Sequence, residues 1–344
     1  MNSMDRLRVG IVGAGMAGLA CAQALAQSGA KVQLVDKGRG PGGRLATRRI
    51  AWPEDPNLMI GIDHGAQILH PRDEGFRAWL SAGEAQGWAA PWVPRLGGPW
   101  QAPRERAGWV GVPGMSALAQ AMRRDLPVAS GQPVLAIEPA EGGAWTLRDG
   151  AGMVFGPFDR VVLAVPPAQA APLLETLQPA WASALRAVEM RPCWTLLAIS
   201  EDVPRDWDVL EPETGPLAWV ARNHLKPGRM APPGAGTWVA QAGAAWTQAH
   251  RDDSKEAVQD ALHTELQALL APQLPAAWHH LSVHRWLYGL APAITPGAPR
   301  CWWDAASGLG VCGDYLAGSD VEAAWLSGRA LARSIALEPV AAGV

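Results

Sequence analysis

The chain has few cysteines, few phenyl or phenol rings, and no surplus of charge of either sign. Its four cysteines, Cys21, Cys193, Cys301 and Cys312, show no C-x-x-C spacing, so no structural zinc or other metal site is expected and the thiols read as reduced. Lys and Arg number 29 against 32 Asp and Glu, a formal charge of −3, and no basic run tracks along the chain, which argues against nucleic acid as a partner. Three phenylalanines and two tyrosines stand beside 18 tryptophans, so indole rings must supply much of the bulky core and the walls of any cavity for a planar ligand. No internal repeat and no convincing apolar surface helix is present, and no signal sequence is read. The expectation is a cytoplasmic protein without a membrane partner. The 30 prolines and 38 glycines are spread along the chain, which implies many turns rather than one linker. With 344 residues and 49% hydrophobic content, there is material for two domains or one discontinuous α/β body.

What is present is concentrated first at the start. The run Arg8-Val9-Gly10-Ile11-Val12 enters Gly13-Ala14-Gly15-Met16-Ala17-Gly18, an Ala/Leu-rich stretch from Leu19 to Gln27 follows, and Lys31-Val32-Gln33-Leu34-Val35 ends on Asp36. A glycine-rich turn is informative only with its strand and helix, and both flanks are readable here. The spacing predicts a nucleotide-binding βαβ unit. Gly13 makes the tight turn, Gly15 lets backbone approach a pyrophosphate, Gly18 allows close helix-on-sheet packing, and Asp36 offers a carboxylate to a ribose hydroxyl. The free N–H groups at the helix start, around Met16 and Ala17, would face the phosphate. Asp36 also reads as an ordinary strand-end turn residue. Val9 to Ala30 is nearly uncharged, but the glycines in register, the following strand and the lack of a basic segment with a cleavage site argue against a signal peptide or a span.

Glycines continue past Asp36, through Lys37-Gly38-Arg39-Gly40-Pro41-Gly42-Gly43-Arg44-Leu45-Ala46-Thr47. An arginine behind two glycines can meet a diphosphate with its planar fork where the backbone comes close. Arg39, Gly42, Gly43, Arg44 and Thr47 resemble the second glycine motif of the flavoprotein amine oxidase superfamily, with an extra Gly-Pro between Arg39 and the glycine pair. Asp159-Arg160-Val161-Val162-Leu163-Ala164-Val165-Pro166-Pro167 is similar to that family's late strand, which ends in a Pro-containing turn into the substrate domain. Gly308-Leu309-Gly310-Val311-Cys312-Gly313-Asp314, followed by Val321-Glu322-Ala323-Ala324, resembles its last flavin motif. The resemblance implies an α/β fold: a Rossmann-like FAD-binding domain of the two-motif glutathione-reductase/amine-oxidase type, with a discontinuous mixed-sheet substrate domain. It implies non-covalent FAD, since Cys312 sits within a strand before Gly313 and Asp314. Lys37, Gly42, Gly43 and Arg44 join the first glycines around the cofactor, and Val134 lies beside the adenine. Gly313 and Asp314 approach the ribityl or pyrophosphate oxygens, and His64, Gly65, Ala66 and Gln67 lie near the flavin. The helix from Val321, with Glu322 and Ala324, aims its dipole at the flavin and would stabilise its anionic reduced form.

These motifs assign residues 1–75, 107–165 and 296–338 to the FAD-binding domain, and 76–106 and 166–295 to the substrate domain. Val134 to Glu138 and Ala144 to Arg148 predict a β-meander, Pro192 to Ile199 and Gly236 to Ala242 two strands. Ser254 to Leu270 predicts a helix, with Ala257, Val258, Ala261, Leu262, Leu266, Leu269 and Leu270 at helical spacing.

The chain is short for a monoamine oxidase or a phytoene desaturase. Its size and the segments Asp63-His64-Gly65-Ala66-Gln67, Trp219 to Arg229, and His284-Arg285-Trp286-Leu287-Tyr288 resemble the renalase-type flavoproteins, especially bacterial ones. That resemblance implies an FAD oxidase that converts dihydronicotinamide isomers of NAD(P)H to NAD(P)+ while O2 becomes H2O2. Such a substrate is electron-rich, so its oxidation needs mainly stacking on the flavin and a water-poor cavity. Trp286 and Tyr288 would wall the cavity, Arg222 and Asn223 would hold a carboxamide or phosphate, and His64 and His284 are further lining candidates. No catalytic residue is assigned. Plainer roles stand beside these: Trp286 as core, His64 as a turn cap, Arg222 as a surface charge, Glu322 as a first-turn acid. Trp286 and Tyr288 would serve equally in a cage for a neutral amine, so an FAD-dependent amine oxidase or desaturase-type dehydrogenase stays open, as does a flavin- or nucleotide-binding sensor without turnover. The expected partners are a small-molecule substrate and O2, and the sequence fixes no oligomeric state.

Overall fold

The computed structural model describes residues 7–97 and 107–337. Residues 98–106 of the expected substrate domain and residues 1–6 and 338 of the expected cofactor domain lie outside them. Two units arise, one from the described residues of Met1–Gly43, Ala119–Glu189 and Ala291–Val344, the other from those of Arg44–Leu118 and Met190–Leu290.

In the first unit the predicted βαβ is formed by the strand Arg8–Val12, the helix Met16–Gln27 and the strand Lys31–Asp36. The first strand pairs in parallel with Arg160–Leu163 on one side and with Lys31–Asp36 on the other. The full sheet runs in the order Cys301–Asp304, Leu309–Cys312, Arg160–Leu163, Arg8–Val12, Lys31–Asp36, Val128–Ser130. It is parallel except for the Cys301–Asp304 edge. Its inner strands are covered on both faces, and Val9, Ile11, Leu34, Val35, Val161 and Val162 are all fully buried. Gly13, at φ +104°, makes the turn into the helix, and a Cβ there would lie 2.6 Å from the Ala164 carbonyl oxygen. At Gly328 a Cβ would come within 2.1 Å of the Ala17 carbonyl oxygen, so glycine lets the helix Val321–Ala336 rest on the Met16–Gln27 backbone. The β-meander is present and has a third strand: Val134–Pro139, Trp145–Asp149 and Val154–Phe158 pair antiparallel.

The second unit is built on a mixed sheet in the order Trp278–Leu290, Arg191–Glu201, Ala235–Ala242, Leu217–Arg222, Val209–Leu210, Leu96–Gly97, parallel only between the last two. One of its faces is the core. Trp194, Leu196, Ala198, Val220, Trp238 and Ala240 pack on Val258, Leu262, Leu266 and Leu270 of the helix Lys255–Leu270. Those helical residues recur every fourth position and form one stripe, each contributing about 1.5–3 kcal/mol by burial. Ala257 and Ala261, also expected in the apolar set, are exposed, because each sits one residue, or about 100°, off that stripe. Ser254 caps the helix by accepting from the Ala257 N–H at 3.1 Å. Trp194 and Trp238 show where part of the tryptophan content goes: both are fully buried, and each indole N–H is satisfied, by the His250 carbonyl at 3.0 Å and the Ser200 hydroxyl at 2.9 Å.

The units divide the chain elsewhere than the expected domains do. Residues 44–75 and 107–118 fold within the second unit, where Asp63 bonds to Thr47 and to the Met115 backbone. Residues 166–189 stay in the first unit as the helices Pro167–Leu174 and Pro179–Arg186, tied by Gln178 to Asp304 at 2.6 Å. The prolines after Leu163 start a helix, where a missing N–H costs nothing, and the second unit is reached only at Met190.

Candidate active site

In the first unit, both glycine segments meet at the start of the helix Met16–Gln27. Gly42 N–H donates to the Ala14 carbonyl at 2.8 Å, and a Cβ on Gly43 would lie 3.7 Å from the Gly15 Cα. Gly15 is the helix N-cap with no side-chain cap, no acid stands in the first turn, and a Cβ at Gly15 would meet nothing within 4 Å. Uncapped N–H groups facing a space that a single methyl would enter make a cradle for a phosphate. The Asp36 carboxylate accepts from Ala14 N–H at 2.5 Å and Gly38 N–H at 2.6 Å, which fixes it beside the glycine turn and leaves each oxygen a lone pair. Gln132 N–H bonds to the Asp36 carbonyl at 2.9 Å and Gly131 N–H to the Gly38 carbonyl at 2.8 Å, so the loop leading to Val134 is tied to this turn. Asp314 is buried in a short 3-10 turn. The Val321–Ala336 helix starts where expected, with buried Glu322 in its first turn, and Asp320 caps it, accepting from Ala323 N–H at 2.8 Å. Two carboxylates there offset part of the positive helix end.

The second unit carries the His64–Gln67 loop on a buried ion cluster. Asp63 is fully buried and accepts from Thr47 Oγ1 at 2.7 Å, Met115 N–H at 2.8 Å and Arg229 Nε at 3.2 Å, with Lys226 Nζ at 3.4 Å. Burial pushes the Asp63 carboxyl up, but Lys226, Arg229 and the hydrogen bonds outweigh it and hold it below the usual carboxylate range. Lys226 also donates to Gln67 Oε1 at 2.8 Å, and Gln67 Nε2 donates back to the Asp63 and Gly65 carbonyls at 2.8 and 3.0 Å. Gln241 adds a bond to the Gly65 carbonyl at 2.8 Å, and Ala66 N–H bonds to the Arg44 carbonyl at 2.8 Å. The loop is thus held from several sides.

Burial lowers Lys226 from 10.5 to about 8 despite the pull of Asp63. Between about pH 8 and 10.5 the unfolded chain therefore holds the extra proton, and stability rises with pH across that window, the penalty being fully present below it. The rise should be on the order of 2–3 kcal/mol and absent in Lys226→Met. Urea unfolding of both proteins at neutral pH and near pH 10 checks this, and parallel pH dependences would refute it.

Above this cluster sits a group of rings. His64 stacks on Trp286 with centroids 5.0 Å apart, His284 meets His64 edge-on at 4.8 Å, and His284 meets Trp286 at 4.3 Å. Trp286 Nε1 donates to the His64 carbonyl at 2.8 Å. Burial, the neighbouring His284 and the Arg48 charge push His64 down to about 3, while burial, Arg48 and Lys255 push His284 down to about 4, so both rings are neutral near pH 7. Tyr288 follows in the same strand where its pairing with Arg191–Glu201 is irregular, and makes no ring contact with the group among the described residues.

Two sequence candidates have internal partners. The Arg222 side chain is 5% exposed and pairs with Asp202 at 2.9 Å. Asn223 is fully buried, with its Oδ1 accepting from Asp63 N–H at 3.2 Å and its Nδ2 donating to the Gly61 carbonyl at 3.0 Å. The turn-rich segment folds inward, where Asn223 bonds to backbone and Arg222 to Asp202, while the buried Arg222 Nε has no hydrogen-bond partner.

This arrangement can be set beside known proteins. The description "Flavin containing amine oxidoreductase" matches residues 97–336, and "NAD(P)-binding Rossmann-like domain" matches residues 11–82. The chain belongs to the flavin-containing amine oxidoreductase family. Among solved structures, a protein from Exiguobacterium sp. 255-15 provisionally described as a protoporphyrinogen oxidase has a TM-score of 0.72 at 15% identity, covering 97% of this chain and 99% of that one. Cyclohexylamine oxidase from Brevibacterium oxydans IH-35A gives 0.71 at 15%, covering 96% and 98%. Putrescine oxidase bound to putrescine gives 0.69 at 15%, covering 96% and 100%. At such identities the likeness is one of fold.

The amine oxidoreductase is an FAD-dependent enzyme. Its Cys312 is buried in the Leu309–Cys312 strand opposite Cys301, and burial raises its thiol well above the ordinary value, so no thiolate is offered to a flavin. Among the described residues no cluster of His, Cys, Asp or Glu could hold a metal, and no helix is long and apolar enough to cross a membrane. Lys226, Arg229 and Gln241 were not picked out from the sequence as functional. Only the Lys-Pro-Gly-Arg run containing the first two stood out, and its partner Asp63 lies 163 residues from Lys226.

Proposed function

We propose that the enzyme is a renalase-type oxidase of dihydronicotinamide isomers of NAD(P)H. The observation that carries this reading is the charge around the ring group. His64 and His284 are neutral, Arg48 and Lys255 make the surroundings positive, and the one carboxylate acting on His64, Asp63, is already neutralised by Lys226 and Arg229. An ammonium substrate would meet repulsion there, whereas a dinucleotide brings a diphosphate of the complementary sign.

In this reading Gly13, Gly15, Met16, Ala17, Gly42 and Gly43 would hold the diphosphate of non-covalent FAD, Asp36 its ribose and Val134 its adenine. Gly313 and Asp314, in the same unit, would serve the rest of the cofactor. FAD, when bound, supplies two-electron oxidation with O2 as the final acceptor. The protein's part is to stack the dihydronicotinamide against Trp286 and His64, to exclude water, and to keep both imidazoles uncharged so that they add no repulsion to the cationic nicotinamide that forms. No residue needs to remove a proton from carbon, which agrees with the absence of a free buried carboxylate in the group.

Anaerobic mixing of the yellow protein with borohydride-generated NADH isomers should bleach the visible flavin band rapidly, air should restore it, and pure 4-dihydro NADH should be far slower. Bleaching by putrescine or cyclohexylamine, with the isomers inert, would replace this reading with amine oxidation.

A further inference from the structure

Arg48 stands where its hairpin calls for an apolar residue. In the antiparallel pair Thr47–Trp52 and Asp55–Asp63, directly opposed residues share a face, and Arg48 opposes Ile62 while Ile50 opposes Ile60. Those three isoleucines are buried, yet the position completing the stripe carries an exposed guanidinium. The Arg48 side chain makes no hydrogen bond or ion pair with any described residue. The same strand runs beside Trp278–Leu290, since the Trp52 ring lies 4.8 Å from that of His279. The register runs on past Thr47 and Asp63, with His64 N–H bonded to the Ala46 carbonyl at 3.4 Å, so His64 lies on the same face as Arg48, one pair along. His64, only 5% exposed, leaves its Nδ1 without a partner.

An unpaired arginine fork on the same hairpin face as the His64 imidazole matches a phosphate, which it can bind through two parallel N–H···O bonds. We propose that Arg48 is a specificity-determining residue that binds the diphosphate of a dinucleotide substrate, with the His64–Trp286 group taking the nicotinamide. This rests on the proposed isomer oxidation and adds to it the reason a dinucleotide is preferred to a smaller dihydronicotinamide.

The test uses the flavin-loaded protein and the variants Arg48→Met and Arg48→Lys. Calorimetric titration with NAD+ reads binding without turnover, and anaerobic flavin bleaching compares NADH isomers with isomers of dihydronicotinamide riboside, which carries no phosphate. Arg48→Met should weaken NAD+ and raise half-saturation by the NADH isomers by about tenfold to a hundredfold, the loss of a charge-assisted phosphate contact. Half-saturation by the riboside should stay where it is, and Arg48→Lys should recover part of the loss, because it keeps the charge without the fork. The salt dependence of NAD+ binding should shrink in Arg48→Met. Unchanged NAD+ affinity, or an equal loss for the riboside, would overturn the assignment. If neither isomer bleaches the wild-type flavin, the oxidase reading fails, and the NAD+ titration decides the Arg48 contact on its own.

Discussion

Asp63→Asn is expected to lower the stability of the second unit by about 3–5 kcal/mol, the range seen when one partner of a buried ion pair is removed. The substitution keeps the shape of the side chain, so packing is not the cause. It removes the charge that answers Lys226 and Arg229, both essentially without solvent exposure, and leaves two like charges facing each other in the interior. It also disturbs an acceptor shared by Thr47 and the Met115 N–H, which join segments distant in sequence. A loss of that size is a large part of the 5–15 kcal/mol of a typical domain, so the variant should melt early or fail to accumulate. Denaturant unfolding measures it, and Asp63→Asn combined with Lys226→Met should recover part of the loss because one stranded cation goes with it. An Asp63→Asn protein within about 1 kcal/mol of wild type would mean the cluster is far better solvated than its burial indicates.

That cluster also shows where sequence reading reaches its limit. The strand Lys31–Asp36 and the helix capped by Ser254 were legible because their signals are local: alternation, a cap, a four-residue apolar repeat. The Asp63–Gln67 segment was legible as a motif, but its partners were not. Arg222 and Arg229 lie in one turn-rich stretch, and nothing in their spacing says that the first would turn to Asp202 and the second to Asp63. Asn223 looked like a ligand group because it is polar and next to an arginine, and it proved to bond the backbone at Gly61 and Asp63. The compact units divide the chain differently from the expected domains for a related reason. Cofactor motifs mark where a ligand is expected, whereas compact units follow the long-range bonds of buried groups, and residues 44–75 are bound by Asp63 to the second unit. Arg48 did leave a local trace, an arginine in step with Ile50, visible only once Ile60 and Ile62 supply the other side of the stripe.

Gly15→Val is expected to give a folded, colourless protein. Gly15 has φ −76° and ψ −178°, a backbone conformation open to any residue, and a Cβ there meets nothing within 4 Å, so the chain itself has no objection to a side chain. The objection comes from the ligand: a branched apolar group would stand over the uncapped N–H groups of Met16 and Ala17, where a diphosphate would have to come close. Losing two such backbone contacts and desolvating the helix end should weaken FAD by about a hundredfold or more. Gly18→Ala supplies the contrast, because its Cβ would sit 2.0 Å from the Gly13 carbonyl oxygen and damages the turn whether or not a ligand is present. The pair separates the two roles of the motif: Gly15→Val should keep the far-ultraviolet circular dichroism of the wild-type apoprotein while losing the flavin, and Gly18→Ala should lose thermal stability even as apoprotein. A Gly15→Val protein that purifies with a full complement of FAD would move the cofactor's diphosphate off this helix.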